Sequence, residues 1–175
     1  MALSSVVTEL KDTMVATIRG ASDVVTALRD AVKIQVTGGA KDVSDVVAAG
    51  ILSAKDAGVT LVDATKDTVS AGIMAVSDTG GDVVTASGKA VSGAIMAASE
   101  VGEDLGAAAV SAVEMAIDAV GQTGKSTADA TKEAVTSAVG AADGIGTEAG
   151  KSVRDALTAA ASLPRDLVES AIKGS

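Results

Sequence analysis

The 175-residue chain contains no cysteine, histidine, tryptophan, tyrosine or phenylalanine, and Pro164 is its single proline. Without cysteine and histidine there is no disulfide, thiolate nucleophile, imidazole base or Cys- or His-ligated metal. Without aromatic side chains no platform exists on which bases could stack, and a net charge of −9 argues against a phosphate-binding surface. These absences predict a protein that is not an enzyme, has no cofactor or metal and binds no nucleic acid.

Targeting and membrane-spanning segments are also lacking. No uncharged apolar run reaches the roughly 18 residues that a spanning helix needs. The first residues show no basic stretch followed by an apolar core, so no secretory signal is visible. We therefore expect a cytoplasmic protein, with a peripheral position on a granule or membrane as a second location.

An internal repeat organises what is present. Residues 64–77 (ATKDTVSAGIMAVS) and 86–99 (ASGKAVSGAIMAAS) are identical at 7 of 14 positions and lie 22 residues apart. Two apolar columns follow this spacing; they contain Val25, Val47, Val69, Val91, Val113, Val135 and Leu157, and Ile51, Ile73, Ile95 and Ile117. Midway between successive members of the Val column lies a mostly small column, with Val36, Gly58, Gly80, Gly102, Gly124 and Gly146. The sequence therefore has an 11-residue unit, in which large and small residues alternate with a 22-residue period.

This period predicts α-helix. Eleven residues close three helical turns at about 3.67 residues per turn, so the apolar columns share one half of the helix and the polar columns the other. On the polar half, Asp30–Lys33, Asp63–Lys66 and Asp129–Lys132 are three residues apart and are expected to form weak surface pairs. We predict an all-α fold of long amphipathic helices with 11/22-residue repeats over residues 1–163. Pro164 ends that region, and residues 164–175 form a short C-terminal helix and tail, with the helix at 165–172.

The glycines leave two arrangements open. Clusters at 38–39, 79–81, 101–106, 121–124 and 140–150 weaken any continuous helix, since each internal glycine costs about 1 kcal/mol relative to alanine. The chain is then either an extended helix that orders when its apolar face is covered, or an antiparallel bundle of three to five helices. Five column glycines are predicted to allow close helix packing, with turns as the alternative; they are Gly58, Gly80, Gly102, Gly124 and Gly146.

The repeat resembles that of a known group of proteins. The runs ATKDTV (64–69), VTASGKAVSG (84–93) and ATKEAV (130–135) are similar to the 11-residue repeats of perilipin-type lipid-droplet coat proteins. Synucleins, exchangeable apolipoproteins, bacterial phasins and late-embryogenesis-abundant proteins have repeats of the same style. The resemblance covers roughly residues 10–160 and implies an amphipathic helix that lies on a lipid or polymer surface, or protects membranes during drying. This chain is more acidic and richer in glycine and valine.

Three non-catalytic functions follow from these observations. The first is a coat, in which many weak apolar units in series bind a lipid droplet, granule or membrane surface. The second is a self-assembling helical bundle or filament, because an 11-residue repeat specifies a right-handed supercoil. The third is a stress-protectant or ice-binding helix. The expected partners are a lipid or other hydrophobic surface and further copies of the chain, as a homo-oligomer.

Overall fold

The computed structural model describes residues 5–19, 24–37 and 42–175, and its regular structure over these ranges is entirely helical. The all-α prediction is confirmed for this part of the chain. The helices are α1 (Ser5–Arg19), α2 (Val24–Thr37), α3 (Val43–Asp56), α4 (Leu61–Asp78), α5 (Val83–Glu100), α6 (Leu105–Gln122), α7 (Thr127–Ile145), α8 (Thr147–Ala159) and α9 (Arg165–Lys173).

The central helices follow a regular plan. Helices α4, α5 and α6 each have 18 residues, begin at the evenly spaced positions 61, 83 and 105, and are separated by turns of equal length. The second residue of each turn is a glycine with positive φ, which glycine adopts without a Cβ clash. The last residue of each turn caps the next helix through its side-chain oxygen, which accepts from a backbone N–H of the first helical turn. The caps are Thr60, Asp82, Asp104 and Ser126.

The breaks between helices are more numerous than the sequence predicted. The expected interruptions near 79–81, 101–106, 121–124 and 140–150 each contain one break. The break at 57–60 lies outside these clusters but contains Gly58, for which a turn was the alternative to close packing. The estimate of three to five helices is therefore too low, since nine lie in the described ranges. The predicted break at 38–39 lies outside the described residues.

The helices form two rows. Each helix contacts its neighbours in sequence and the helices two places away, and no described helices further apart are in contact. The odd-numbered helices therefore lie side by side in one row, and the even-numbered helices in a second row packed against it. The apolar core runs along the interface between the rows.

Small side chains fill this core. A column of alanines at the spacing of the repeat unit, including Ala64, Ala86, Ala97 and Ala108, is buried together with the valine and isoleucine columns. Small side chains of this kind allow neighbouring helices to pack closely without aromatic residues.

Two glycines of α5 bring the odd-numbered helices closer still. A Cβ added at Gly93 would collide with the Ser44 carbonyl oxygen of α3, and would lie 3.2 Å from the Ala48 nitrogen. A Cβ at Gly88 would lie 2.5 Å from both Glu133 Oε1 and Ser137 Oγ of α7. Gly93 needs a residue without a side chain because it faces backbone, whereas a side chain at Gly88 would require the Glu133 and Ser137 side chains to shift.

Both ends of the array present polar residues. On α1, Ser5, Glu9 and Asp12 are exposed, while Val7, Leu10 and Met14 are buried. Pro164 precedes α9, which packs against α7 and buries Val168 and Ala171. Among the described helices, none combines the length and apolar character needed to cross a bilayer.

Candidate interaction surface

The predicted apolar repeat face lies inside the array. Val47, Val69, Val91, Val113, Val135, Leu157, Ile51, Ile73 and Ile95 are buried, and Ile117 is half-buried against the core. The side chain of Val25 lies outside the described residues. The face is therefore occupied by neighbouring helices of the same chain.

The predicted close-packing role of the column glycines is wrong. Gly58, Gly80, Gly102 and Gly124 lie in the turns with φ between +69° and +88°, and no heavy atom lies within 4 Å of a Cβ added there. Gly146 joins α7 to α8 with φ 163°, an extended conformation, and its added Cβ also has open space. Val69, Val91, Val113 and Val135 lie near the middle of α4 to α7, whereas these glycines lie between helices, so the two sets do not share one packing face. Close packing instead involves Gly88 and Gly93, which stand inside α5 and away from any turn.

Buried hydroxyl groups lie between the helices. Ser53 Oγ donates to the Ala49 carbonyl at 2.7 Å, with the Lys11 carbonyl of α1 at 3.1 Å. Thr65 and Thr68 of α4 are fully buried, and their Oγ atoms have no hydrogen-bond partner in the described part of the chain. Unpaired buried hydroxyls cost about 1–3 kcal/mol each. They lower the stability of the array at α4.

A shallow groove crosses the even-numbered helices. It has a volume of about 430 Å³, and Met74 and Met115 contribute apolar surface to it. Charges of both signs surround the methionines, among them Lys33, Asp78 and Asp118. Lys33 Nζ lies 2.9 Å from Asp78 Oδ2, which ties α2 to α4 across the groove.

A second groove lies at one edge of the array, between the turn at 57–60 and the turn at 101–104. Its volume is about 360 Å³, and Leu61, Val62 and Ala107 supply its apolar surface. Lys55 Nζ lies 2.8 Å from Glu103 Oε1 and joins the two turns. We call the surface formed by both turns and the adjoining helix ends the acidic edge. Its carboxylates are Asp56, Asp63, Glu100, Glu103 and Asp104.

Hydrogen bonds shift the pKa of several exposed groups. At the opposite edge, the hydroxyl and backbone N–H of Thr85 donate to Asp82 and lower the pKa of that carboxyl. Arg154 of α8 donates two hydrogen bonds to Asp143 of α7, at 2.8 and 2.6 Å. These bonds lower the pKa of Asp143 and raise the pKa of Arg154. Such contacts are typical of caps and helix-to-helix ties.

No metal centre is formed by the side chains that the structure describes, since no three Asp or Glu residues converge there. The carboxylates of the acidic edge are spread over two turns. They make this edge negatively charged but do not form a set of metal ligands.

Comparison with known proteins adds no relative. No protein-family model matches the chain, and no curated protein matches it either. The resemblance to lipid-droplet coat proteins thus depends on the repeat period and the composition alone.

Proposed function

We propose that the protein is a non-catalytic structural protein that works as a preformed array of amphipathic helices. The main support is the burial of its repeat face, since Val69, Val91 and Ile95 retain no exposed surface. Apolar area that is already removed from water gains little from a second apolar surface. The regular spacing of α4 to α6 supports a repeat array, in which each unit contacts only near neighbours.

The polar residues of α1 and α9 also agree with a repeat array. Repeat proteins need terminal units with a polar outer face to stay in solution. The exposed Glu9 and Asp12 of α1 give one end this character. At the other end, α9 exposes Arg165 and Asp166 and turns Val168 inward.

The coat function predicted from the sequence is the second candidate, and the small core side chains favour it. Alanine and valine bury less area than larger residues, so separating the two rows of helices exposes less apolar surface per helix. The free-energy cost of opening the array is correspondingly lower. In this alternative the array opens on a neutral lipid or polymer surface, and the repeat face contacts that surface instead.

Far-UV circular dichroism of the purified protein, with and without a neutral-lipid emulsion, separates the two functions. A preformed array gives a strong helical signal in buffer, a cooperative thermal transition and no gain from the emulsion. Helix that appears only with the emulsion would support the coat and contradict the preformed array. A transition temperature that rises with protein concentration would indicate that helices from other copies of the chain, in a homo-oligomer, bury the repeat face.

A further inference from the structure

The acidic edge combines a groove with exposed apolar side chains. Among the described side chains, the large hydrophobic residues exposed to solvent are Ile34, Val62 and Val101, and two of these lie at this edge. Val62 is 40% exposed beside the groove, and Val101 is 37% exposed in the turn that follows α5. Val62 lines the groove, and Val101 belongs to the turn whose Glu103 and Asp104 also line it. We call these two exposed side chains the strip.

The opposite edge of the array shows that this strip is not required by the turns. The turns at 79–82 and 123–126 have the same length and the same glycine position as the turn at 101–104. Thr79 and Thr123 occupy the position of Val101 in those turns. A threonine there supports the same backbone, so Val101 is not needed to form the turn.

The strip is bordered by negative charge. Five carboxylates belong to the acidic edge, and the cations paired with them are Lys11, which binds Asp56, and Lys55, which binds Glu103. Glu100 is exposed to solvent and forms no ion pair within the described residues. Residues 42–146 contain 15 acidic and 5 basic side chains, so the negative charge is concentrated in this central part of the array.

The negative charge around the strip determines which kind of partner can bind there. A second copy of the chain carries a net charge of −9 and an anionic membrane is also negative, so both are repelled overall. A cationic segment is attracted, and an aliphatic side chain within it can remove Val62 and Val101 from water. The negative charge and the exposed valines thus both favour a cationic segment that contains an aliphatic side chain.

We propose that the acidic edge binds a short basic segment of a partner protein, in which an aliphatic side chain lies between lysine or arginine residues. The aliphatic side chain packs against the strip, one neighbouring cation binds Glu100, and the other shares Glu103 with Lys55. This inference names the partner class of the preformed array, and therefore depends on that proposed function.

Fluorescence anisotropy with labelled synthetic peptides tests the proposal on the full-length protein. The probe is a peptide of alternating lysine and leucine; a lysine–serine peptide and a glutamate–leucine peptide are its comparisons. We expect the lysine–leucine peptide to bind, the lysine–serine peptide to bind about tenfold more weakly, and the glutamate–leucine peptide not to bind. Equal binding of the lysine–leucine and lysine–serine peptides would show that charge alone accounts for binding and would overturn the proposal.

Matched variants locate the binding surface. Glu100→Gln with Glu103→Gln, and separately Val101→Thr, should each weaken binding about fivefold or more. The control for charge is Asp118→Asn on α6, and the control for apolar surface is Val84→Thr near the opposite edge; neither should change the affinity. Equal losses in the controls would contradict the assignment to the acidic edge.

Two further measurements separate the possible failures. Circular dichroism in the binding buffer shows whether the chain is helical; an unfolded chain overturns the proposed function and this inference together. A helical chain that does not bind the peptide overturns this inference alone. Dimerisation that Val101→Thr abolishes, or binding of neutral phosphatidylcholine vesicles that it abolishes, would assign the strip to a second copy or to a membrane and overturn the proposal.

Discussion

Lys33 of α2 and Asp78 of α4 form an ion pair with an Nζ–Oδ2 distance of 2.9 Å, although they are far apart in the chain. Lys11 of α1 and Asp56 of α3 repeat this relationship, with the same sequence separation and the same distance. Each pair joins neighbouring helices of one row. Exposed ion pairs contribute about 0–1 kcal/mol, so these pairs favour the register of the rows while the apolar interior supplies most of the stability.

Replacing Gly93 by alanine should destabilise the array. The added methyl group would collide with the backbone of α3 at Ser44, and overpacking of this kind costs about 1–3 kcal/mol. Urea unfolding followed by circular dichroism measures the change. Gly140→Ala is the control, because its added Cβ has open space in the middle of α7 and alanine favours helix by about 1 kcal/mol. Equal effects of the two substitutions would contradict the close approach of α3 and α5.

Gly102→Ala should destabilise the array for a different reason. The turn holds Gly102 at φ +69°, where a Cβ costs about 1–2 kcal/mol even though the site is open. Gly102→Asn should cost less, since asparagine tolerates this conformation better than alanine. Thermal unfolding of both variants provides the measurement. If the alanine variant is as stable as the natural sequence, the turn does not need positive φ.

Ile95→Ala and Ile34→Ala remove the same atoms from opposite environments. Ile95 is fully buried in α5, and we expect the substitution to lower the free energy of unfolding by about 2–5 kcal/mol. Ile34 is 64% exposed, and its substitution should change stability by about 0.5 kcal/mol or less. Urea unfolding in buffer without lipid is the test. A small effect at Ile95 would mean that the repeat face is not buried in solution.

Asp82→Ala should remove the cap of α5 and cost about 1 kcal/mol at neutral pH. Because the hydrogen bonds from Thr85 lower the pKa of Asp82 in the folded state, its contribution is complete above the unfolded pKa of about 3.9. The contribution is lost as the pH falls through the lower folded pKa. The stability difference between the natural sequence and Asp82→Ala should therefore shrink in acid.

Asp82→Asn is the matched control for this pH dependence. Asparagine caps the helix but does not titrate, so its advantage over alanine should stay constant over the same acid range. Unfolding measured at a series of pH values checks both differences. A constant difference between aspartate and alanine down to strong acid would show that the ionised carboxylate is not needed.

The sequence predicted that helices form and which columns are apolar, because helical periodicity depends on local spacing. It did not predict what covers Val69 or Ile95, since an amphipathic pattern shows that a face is apolar and not which surface buries it. Gly80 was open to two explanations because one property, the missing side chain, allows both close packing and positive φ. The signal missed was that Gly80 stands two residues before the capping residue Asp82, and that this spacing recurs at Gly58, Gly102 and Gly124.

Surface contacts were harder to predict. The expected pairs Asp63–Lys66 and Asp129–Lys132 do not form between those residues as the structure describes them; Asp63 accepts a hydrogen bond from Thr60 instead. Predicting the ion pair between Lys33 and Asp78 requires knowing that α2 and α4 lie in the same row. The acidic edge likewise depends on two turns, at 57–60 and 101–104, that are separated in the chain by the whole of α4 and α5.

The restriction of contacts to helices at most two places apart affects how the protein is made. Every described helix finds all its N-terminal partners in the two helices synthesised just before it. Such local contacts favour fast folding, and the chain can add helices to the growing array in the order in which they leave the ribosome.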